Sequence, residues 1–375
     1  MQHHTSGAPA LQALRGAVAV NPPRHDAVEQ LERGAWDALV ARRGGQALQS
    51  WAWGELKSRI GWQAVRLASG DARACAQVLI RRAPDVTLAY VPRGPLLSGD
   101  AAPDHALVDG LVRVARASGA SFLRFEPDVL ESDARAAGVR AILSGTGFTT
   151  AERTLQPRST IRLDLTGDEE QLRAAFSKGH RADIRRAERE GVTIRVGTPA
   201  DTGILHEILV ATSARKAFGI RDAAYYRYLM EAFGDGARLQ IAELEGDPVG
   251  ASVVIAFGRH GMYLAAGSTD AGLRHRAAHL LQWHAIRWAR QRGARTWDLW
   301  GIADARGRHE LAAARRVAPE RVLAQLETEA ERDPLDGVFR FKKGWGGSVV
   351  RMLPAFDRVF DGAAYAAWRA RSGGA

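Results

Sequence analysis

The feature that most constrains this chain is that it repeats itself. Arg113-Val-Ala-Arg-Ala-Ser-Gly119-Ala120 matches Arg287-Trp-Ala-Arg-Gln-Arg-Gly293-Ala294, 174 residues further on. Each copy ends an Ala- and Arg-rich amphipathic segment at a glycine, the residue that most readily takes the left-handed conformation just past a helix end. A tyrosine-bearing apolar run precedes each helix, Leu88–Val91 or Met262–Ala265, and a short apolar run follows it, Phe122–Phe125 or Thr296–Trp300. A few identities arise by chance in an Ala/Arg-rich chain, but duplication better explains a shared strand–helix–glycine–strand order. The repeat therefore predicts two α/β lobes.

The intervening sequence fills in the lobes. In the first half, Ala27–Ala41 reads as helical, Gln63–Leu67 and Arg73–Ile80 as strands, and His105–Ser118 as the helix closed by Gly119. The second half opens with a strand over Ser159–Leu165. Thr166-Gly-Asp-Glu169 then resembles a capping box, in which a hydroxyl and a carboxylate serve the orphan amides of a helix start. A basic helix over Ser177–Glu190 stops at Gly191. Strands Arg238–Glu243 and Val249–Phe257 are joined by the tight turn Glu245-Gly-Asp247, and strand Gly261–Ala265, helix Ala277–Arg292 and strand Thr296–Trp300 follow. Antiparallel strands followed by a helix and one more strand are the order of an N-acetyltransferase-like lobe with a mixed sheet. A last helix, Phe360–Arg371, returns to the first lobe. The expected division is a disordered leader over 1–22, a first lobe of 23–150 with 355–375, and a second lobe of 151–354.

Composition narrows the setting. Cys75 is the only cysteine, so no internal disulfide or Cys-rich zinc site is open to the chain, and a reducing cytoplasm is expected. Cys75 lies in an apolar, strand-like stretch and reads as core. No run of 18 apolar residues spans a membrane, and Met1–Pro22 lacks the pattern of a secretory signal. The net charge of +10 points to polyanionic partners such as tRNA, a nucleotide diphosphate or a membrane surface. An Arg-rich composition alone would produce the same charge.

Three stretches carry a resemblance. Gln49-Ser-Trp51-Ala-Trp53-Gly-Glu-Leu-Lys57 is followed by Gly61-Trp62. Ser177-Lys178-Gly-His-Arg181-Ala-Asp-Ile-Arg185-Arg186-Ala-Glu188 runs on to Gly191. Gly337-Val-Phe-Arg-Phe341-Lys342-Lys343-Gly344-Trp345-Gly346-Gly347 lies near the end. With Tyr90-Val-Pro-Arg-Gly-Pro95 they resemble, in order and spacing from about Ala47 to Phe360, the peptidoglycan bridge-forming FemABX aminoacyltransferases. The resemblance implies two tandem N-acetyltransferase-like lobes. It also implies transfer of an amino acid from an aminoacyl-tRNA to a stem-peptide amine of UDP-MurNAc-pentapeptide or lipid II. No metal or organic cofactor is implied, and peripheral association with the inner membrane face would suit a lipid-linked acceptor.

The resemblance also implies roles for residues. Lys57, on a helix anchored by Trp53, and Arg221 with Tyr225 are the expected cations and ring for the precursor's diphosphate; otherwise Lys57 is an exposed lysine on an amphipathic helix. Arg221 and Tyr225, four apart at a helix start, share a face. Tyr263 is expected in the same cleft, or else in the core. Phe341-Lys342 is the expected catalytic pair, since a cation beside the aminoacyl ester stabilises the oxyanion formed on amine attack. Lys343 is its neighbour on the opposite side of a segment taken as extended. Glu126, in Phe-Glu-Pro-Asp128, stands where the family commonly has Asp-Pro and is the candidate general base; the alternative is a strand-end carboxylate holding a turn. Lys178, Arg181, Arg185 and Arg186 are the candidate tRNA-facing cations, or a solvated face diluted by Glu188 and Glu190.

Two departures matter. Acetyltransferases hold the pyrophosphate of coenzyme A on an Arg-x-x-Gly-x-Gly/Ala loop before a helix. Here the corresponding stretch is Arg274-His-Arg-Ala277-Ala-His279, without the glycine and crowded by His279, so acetyl-CoA is not expected as donor. The longer members carry a helical arm, whereas Ala318–Arg332 reads as one short helix, which implies an arm-less form. The rival readings are a FemAB-like N-acyltransferase with a small acyl donor, as in exopolysaccharide modification, and a non-catalytic tRNA- or nucleotide-binding protein.

Overall fold

The computed structural model describes residues 31–151, 153–216 and 219–373. The expected leader and the start of the helix expected over Ala27–Ala41 lie outside the described residues. The chain divides into two compact units. The first runs to Gln156 and resumes at Met352, and the second is Pro157–Arg351.

The first unit begins with helices α1 (Arg33–Arg42) and α2 (Trp51–Arg59) and strands β1 (Gln63–Ala68), β2 (Cys75–Ala83) and β3 (Val86–Pro92). Helix α3 (Ala101–Ala117) then leads to β4 (Phe122–Glu126), α4 (Ala136–Gly145) and β5 (Thr149–Ala151). β1, β2 and β3 are antiparallel, while β4 lies parallel to β3, Leu88 facing Phe122 and Pro92 facing Glu126. The α3 crossover makes that parallel pairing possible. Its Leu107, Val108, Leu111, Val112 and Ala115, spaced three and four apart, are buried against the sheet.

The second unit contains β6 (Ser159–Asp164), α5 (Glu169–Ala175), α6 (Lys178–Arg189), β7 (Thr193–Gly197), α7 (Thr202–Lys216), α8 (Ala223–Phe233), β8 (Ala237–Leu244), β9 (Asp247–Phe257) and β10 (His260–Ser268). There follow α9 (Asp270–Arg274), α10 (Ala277–Gln291), β11 (Thr296–Gly301), α11 (Asp304–Arg315), α12 (Glu320–Glu331), α13 (Phe339–Lys343) and β12 (Ser348–Arg351). The sheet order is β12-β6-β11-β10-β9-β8-β7, with β10 and β11 parallel across α10. The chain then returns to the first unit as β13 (Ala355–Val359), seated between β4 and β5, and α14 (Gly362–Gly373). Asp357 of β13 takes both Nε and Nη2 of Arg124 at 2.8 and 2.6 Å, and Tyr365 of α14 donates to the same carboxylate at 2.7 Å. The pair is buried, and these charge-assisted bonds offset the cost of removing it from water.

The repeat is visible in atomic detail. Gly119 and Gly293 both take positive φ, +70° and +87°. The amides of Ala120 and Ala294 fold back onto Ala115 and Ala289 at 2.9 and 3.0 Å, the same helix stop in each lobe. The mixed α/β, two-lobed expectation holds.

Two local expectations are corrected, and one helix comes as an addition. The capping box uses Asp168 and Gln171, and the Thr166 hydroxyl bonds Asp164 instead. Both Thr and Asp are good N-cap residues, and the helix begins where the Asp168 carboxylate accepts the Gln171 amide while the Gln171 side chain accepts the Asp168 amide. The short helix expected over Ala318–Arg332 is α12, and it packs on α11, for which no expectation was made. Bonds from Arg306 to Asp336 and Glu327, and from Arg308 to Glu329, tie them together and to the loop beyond. Finally, Phe341 to Lys343 form a single helical turn, not an extended segment.

Candidate active site

β10 and β11 pair only from His260–Thr296 to Met262–Asp298. Beyond that point each strand breaks register with its outer neighbour, β10 between Tyr263 and Ala265 and β11 between Asp298 and Gly301. Trp300 adopts φ +63° in the second irregularity, a conformation a bulky residue rarely takes. Two parallel strands therefore part, leaving backbone groups without a ladder partner. Tyr263, half-buried, is the first residue of β10 beyond the last pair.

Lys342 is anchored on β11 just past that parting. Its side chain is 8% exposed. Nζ donates to the carbonyls of Gly301 at 2.5 Å and Trp300 at 3.3 Å. An ammonium has three donors, and two of them are taken by these carbonyls. Burial pushes its pKa down to about 8, and the carboxylate of Asp298 works in the opposite direction. Asp298 is itself held by Thr160, Arg162 and the Trp300 amide. Lys343, by contrast, is exposed and pairs with Glu310 at 3.2 Å.

The turn carrying Lys342 is clasped by its neighbours, among them His180, which the sequence alone did not single out. His180, in the first turn of α6, places Nε2 2.8 Å from the Phe341 carbonyl. The amide of Ser177 donates to the Gly344 carbonyl at 2.8 Å. A Cβ on Gly344 would lie 2.1 Å from the His180 ring, so only glycine fits beneath it. The rings of His279, Phe341 and Trp345 complete the packing, with centroids 4.7 to 5.7 Å from His180. The middle and closing motifs are thus one structural unit.

At the start of α10, where an acetyltransferase would receive pyrophosphate, Asp183 of α6 approaches Arg276 at 3.3 Å and His279 at 3.5 Å. Burial and the neighbouring His180 lower the His279 pKa to about 4. A carboxylate already occupies the position that favours an anion.

On α6, Ile184 and Ala187 face the core. Of the four expected cations, Lys178 and Arg185 are exposed and pair with no carboxylate among the described residues, as does Arg189 one turn on. The other two have partners within the fold. Arg181 caps the end of α5, donating to the carbonyls of Phe176 and Ala174 at 2.5 and 3.0 Å, and Arg186 is paired with Glu190 at 2.7 Å. Arg221 lies just before α8, 5.4 Å from the ring centroid of Tyr225, with Asp222 capping the helix. Burial pushes the Tyr225 hydroxyl up to about 12.

In the first unit, Lys57 is buried to 9% exposure with its ammonium 4.7 Å from the centre of the Trp53 ring. The opening motif explains itself locally. Ser50 caps α2. Gln49 is fully buried, donating to the Pro92 carbonyl at 2.6 Å and accepting the Gln77 amide at 2.7 Å. A Cβ on Gly54 would meet Gln77 at 2.3 Å, so glycine lets α2 close onto the sheet. Cys75 is buried, with its thiol pKa pushed up to about 12.

Glu126, the candidate base, is the last residue of β4. It is 4% exposed and accepts three hydrogen bonds, from the Tyr90 hydroxyl at 2.6 Å and the Leu155 and Gln156 amides at 2.5 and 2.9 Å. Three donors fasten this carboxylate at the end of its unit, and burial raises its pKa.

Comparison with known proteins agrees with these features. A sequence model of the FemAB family matches residues 39–249 and 245–371. The UDP-N-acetylmuramoylpentapeptide-lysine N(6)-alanyltransferase of Weissella viridescens is 29% identical over 280 residues, 69% of this chain and 80% of that protein. The lipid II:glycine glycyltransferase of Staphylococcus aureus is 27% identical over 228 residues, 56% of this chain and 53% of its own, so the chain spans about half the length of that relative. The crystal structure of FemX superimposes with a TM-score of 0.77 at 20% identity, covering 90% of this chain and 98% of FemX. The matched segments take in both units, Lys57 and Lys342 included, and this chain belongs to the FemAB family.

Proposed function

We propose that this protein is an aminoacyltransferase of peptidoglycan bridge formation, moving an amino acid from the 3′ ester of an aminoacyl-tRNA to a stem-peptide amine of UDP-MurNAc-pentapeptide or lipid II. The amine nitrogen bonds the ester carbonyl, the C–O bond to the ribose breaks, and the amine's proton ends on the departing hydroxyl or solvent. The observation that carries this reading is Lys342: a buried ammonium, fixed by two carbonyls where parallel strands part, with one donor left to meet the oxyanion. The alanyl- and glycyltransferase relatives support the substrate class.

Lys57 over Trp53 and Arg221 beside Tyr225 are each a cation backed by an aromatic ring, suited to a phosphate oxygen of the precursor. The Lys178, Arg185 and Arg189 face of α6 offers a tRNA backbone three cations that pair with no carboxylate among the described residues. Peripheral membrane association has a candidate in the loop between α11 and α12. There Arg315, Arg316 and Arg321 are exposed and unpaired by any carboxylate among the described residues, around Val317 at 71% exposure. No helix of the described residues is long and apolar enough to cross a membrane. A cytoplasmic location is part of this reading.

A small acyl donor on coenzyme A is disfavoured by Asp183 at the start of α10. Calorimetry with acetyl-CoA tests this directly: no heat of binding at millimolar ligand is expected, and micromolar affinity would move the donor assignment to an acyl thioester.

A further inference from the structure

Lys342 sits on a helix too short to hold itself. α13 has five residues, Phe339–Lys343, and the amides that follow go to other carbonyls: Gly344 to Arg340, Trp345 to Lys342 and Gly346 to Lys343. The Phe341 oxygen, in the peptide unit that leads into Lys342, is passed over. A carbonyl left this way at a helix end needs a donor from elsewhere. That donor is His180, whose Nε2 lies 2.8 Å away across 161 residues of sequence.

The geometry fixes the tautomer. A carbonyl oxygen only accepts, so Nε2 carries the proton. Nδ1 is then the acceptor, and it faces the Ser177 hydroxyl at 3.1 Å. Burial lowers the ring's pKa, while the bond to the Phe341 carbonyl and the charge of Asp183 act the other way. The ring cannot slide. Gly344 lies against one side of it, and Trp345 and His279 stand edge-on at 4.9 and 4.7 Å.

We propose that His180 is a positioning residue for Lys342: its Nε2–H holds the Phe341 carbonyl and thereby sets the turn from which the ammonium reaches Trp300 and Gly301. His180 touches no reacting atom. Its effect passes through the lysine, so the assignment rests on the role proposed above for Lys342.

The test uses the full-length protein with His180→Phe, which keeps the volume and loses the donor, and His180→Gln, which keeps an amide N–H able to reach the same oxygen. A displaced catalytic group costs rate more than binding. His180→Phe is expected to lower kcat about tenfold or more with precursor KM within about twofold, and His180→Gln to recover most of the loss. In a Lys342→Met background, His180→Phe should cost nothing further. A second readout does not depend on turnover. The pH dependence of Lys342 acylation by a small amine-reactive reagent, read by mass spectrometry, should have its midpoint near 8 in the parent and in His180→Gln, and move toward that of a free lysine in His180→Phe. An unchanged midpoint in His180→Phe, or a full loss of rate persisting in the Lys342→Met background, overturns the positioning role. If Lys342→Met itself has parental kcat, the proposed chemistry fails, and the labelling midpoint still decides whether His180 sets the lysine's place.

Discussion

The ammonium of Lys342 donates to the carbonyl oxygen of Gly301 at 2.5 Å, although 41 residues separate the two in sequence. This bond joins the closing motif of the chain to the strand end where β10 and β11 part, and it holds a buried cation there.

Replacing that cation should separate rate from stability. Lys342→Met is expected to lower the single-turnover rate by about a hundred- to a thousandfold, the usual cost of one oxyanion donor, with precursor affinity little changed. The same substitution should leave the melting temperature equal or higher. The drop in pKa from 10.5 to about 8 corresponds to a burial penalty of up to about 3 kcal/mol at neutral pH. Lys343→Met, which loses only an exposed pair with Glu310, should change neither quantity by much.

The pH dependence carries a sign. Lys342 loses its proton near pH 8 in the folded protein and only near 10.5 when unfolded. The unfolded state therefore binds more protons between those values, and this group's contribution makes the fold more stable as pH rises from about 8 to about 10.5. Activity should run the other way, because the charged form meets the oxyanion. A pH–rate profile measured to pH 9.5 should fall through about 8 in the parent, and that limb should vanish from the residual rate of Lys342→Met. A rate that climbs through pH 8 would make the neutral amine the active form.

Glu126→Gln should act on stability alone. The amide keeps one acceptor oxygen but turns a donor toward one of Tyr90, Leu155 or Gln156, leaving a buried group unsatisfied at about 1–3 kcal/mol. A chemical denaturation curve should register that loss, while the pH–rate profile keeps its shape. Disappearance of an acidic limb in the variant would restore Glu126 as a base.

Lys57→Ala and Arg221→Ala should each raise the precursor KM by about 10- to 150-fold, the equivalent of one charge-assisted bond of roughly 1.5–3 kcal/mol. Unchanged KM in both variants would remove the diphosphate role.

Reversing the charge of Lys178, Arg185 and Arg189 together should weaken the apparent affinity for aminoacyl-tRNA and flatten its salt dependence, since fewer counterions are released. Arg181→Glu should instead destabilise the fold, because that guanidinium closes the carbonyl end of α5.

What was legible in the sequence follows from what is local. The helix stops at Gly119 and Gly293 could be read because a left-handed residue has few chemical choices, and with them came the two-lobed order. Ser177 was recognised as the start of its helix and does cap it. Thr166 misled because three potential capping groups stand within four residues. Arg181 and Arg186 carried the same charge signal as Arg185, and only packing decides which arginine turns inward to a carbonyl, which meets Glu190 and which stays in solvent. His180 gave no signal, as a lone histidine in a basic helix has no diagnostic spacing and its partner lies 161 residues away. That Gly344, after Lys342-Lys343, receives the His180 ring is a tertiary fact.

The central claim is tested most directly by mass spectrometry of a reconstituted transfer. The protein is incubated with mixed charged tRNAs and either UDP-MurNAc-pentapeptide or lipid II, with uncharged tRNA and acetyl-CoA as separate donors. The account predicts that precursor mass rises by one amino-acid residue, only with charged tRNA, and that the gain is lost in Lys342→Met. A gain supported by acetyl-CoA, or the same gain without charged tRNA, would contradict it.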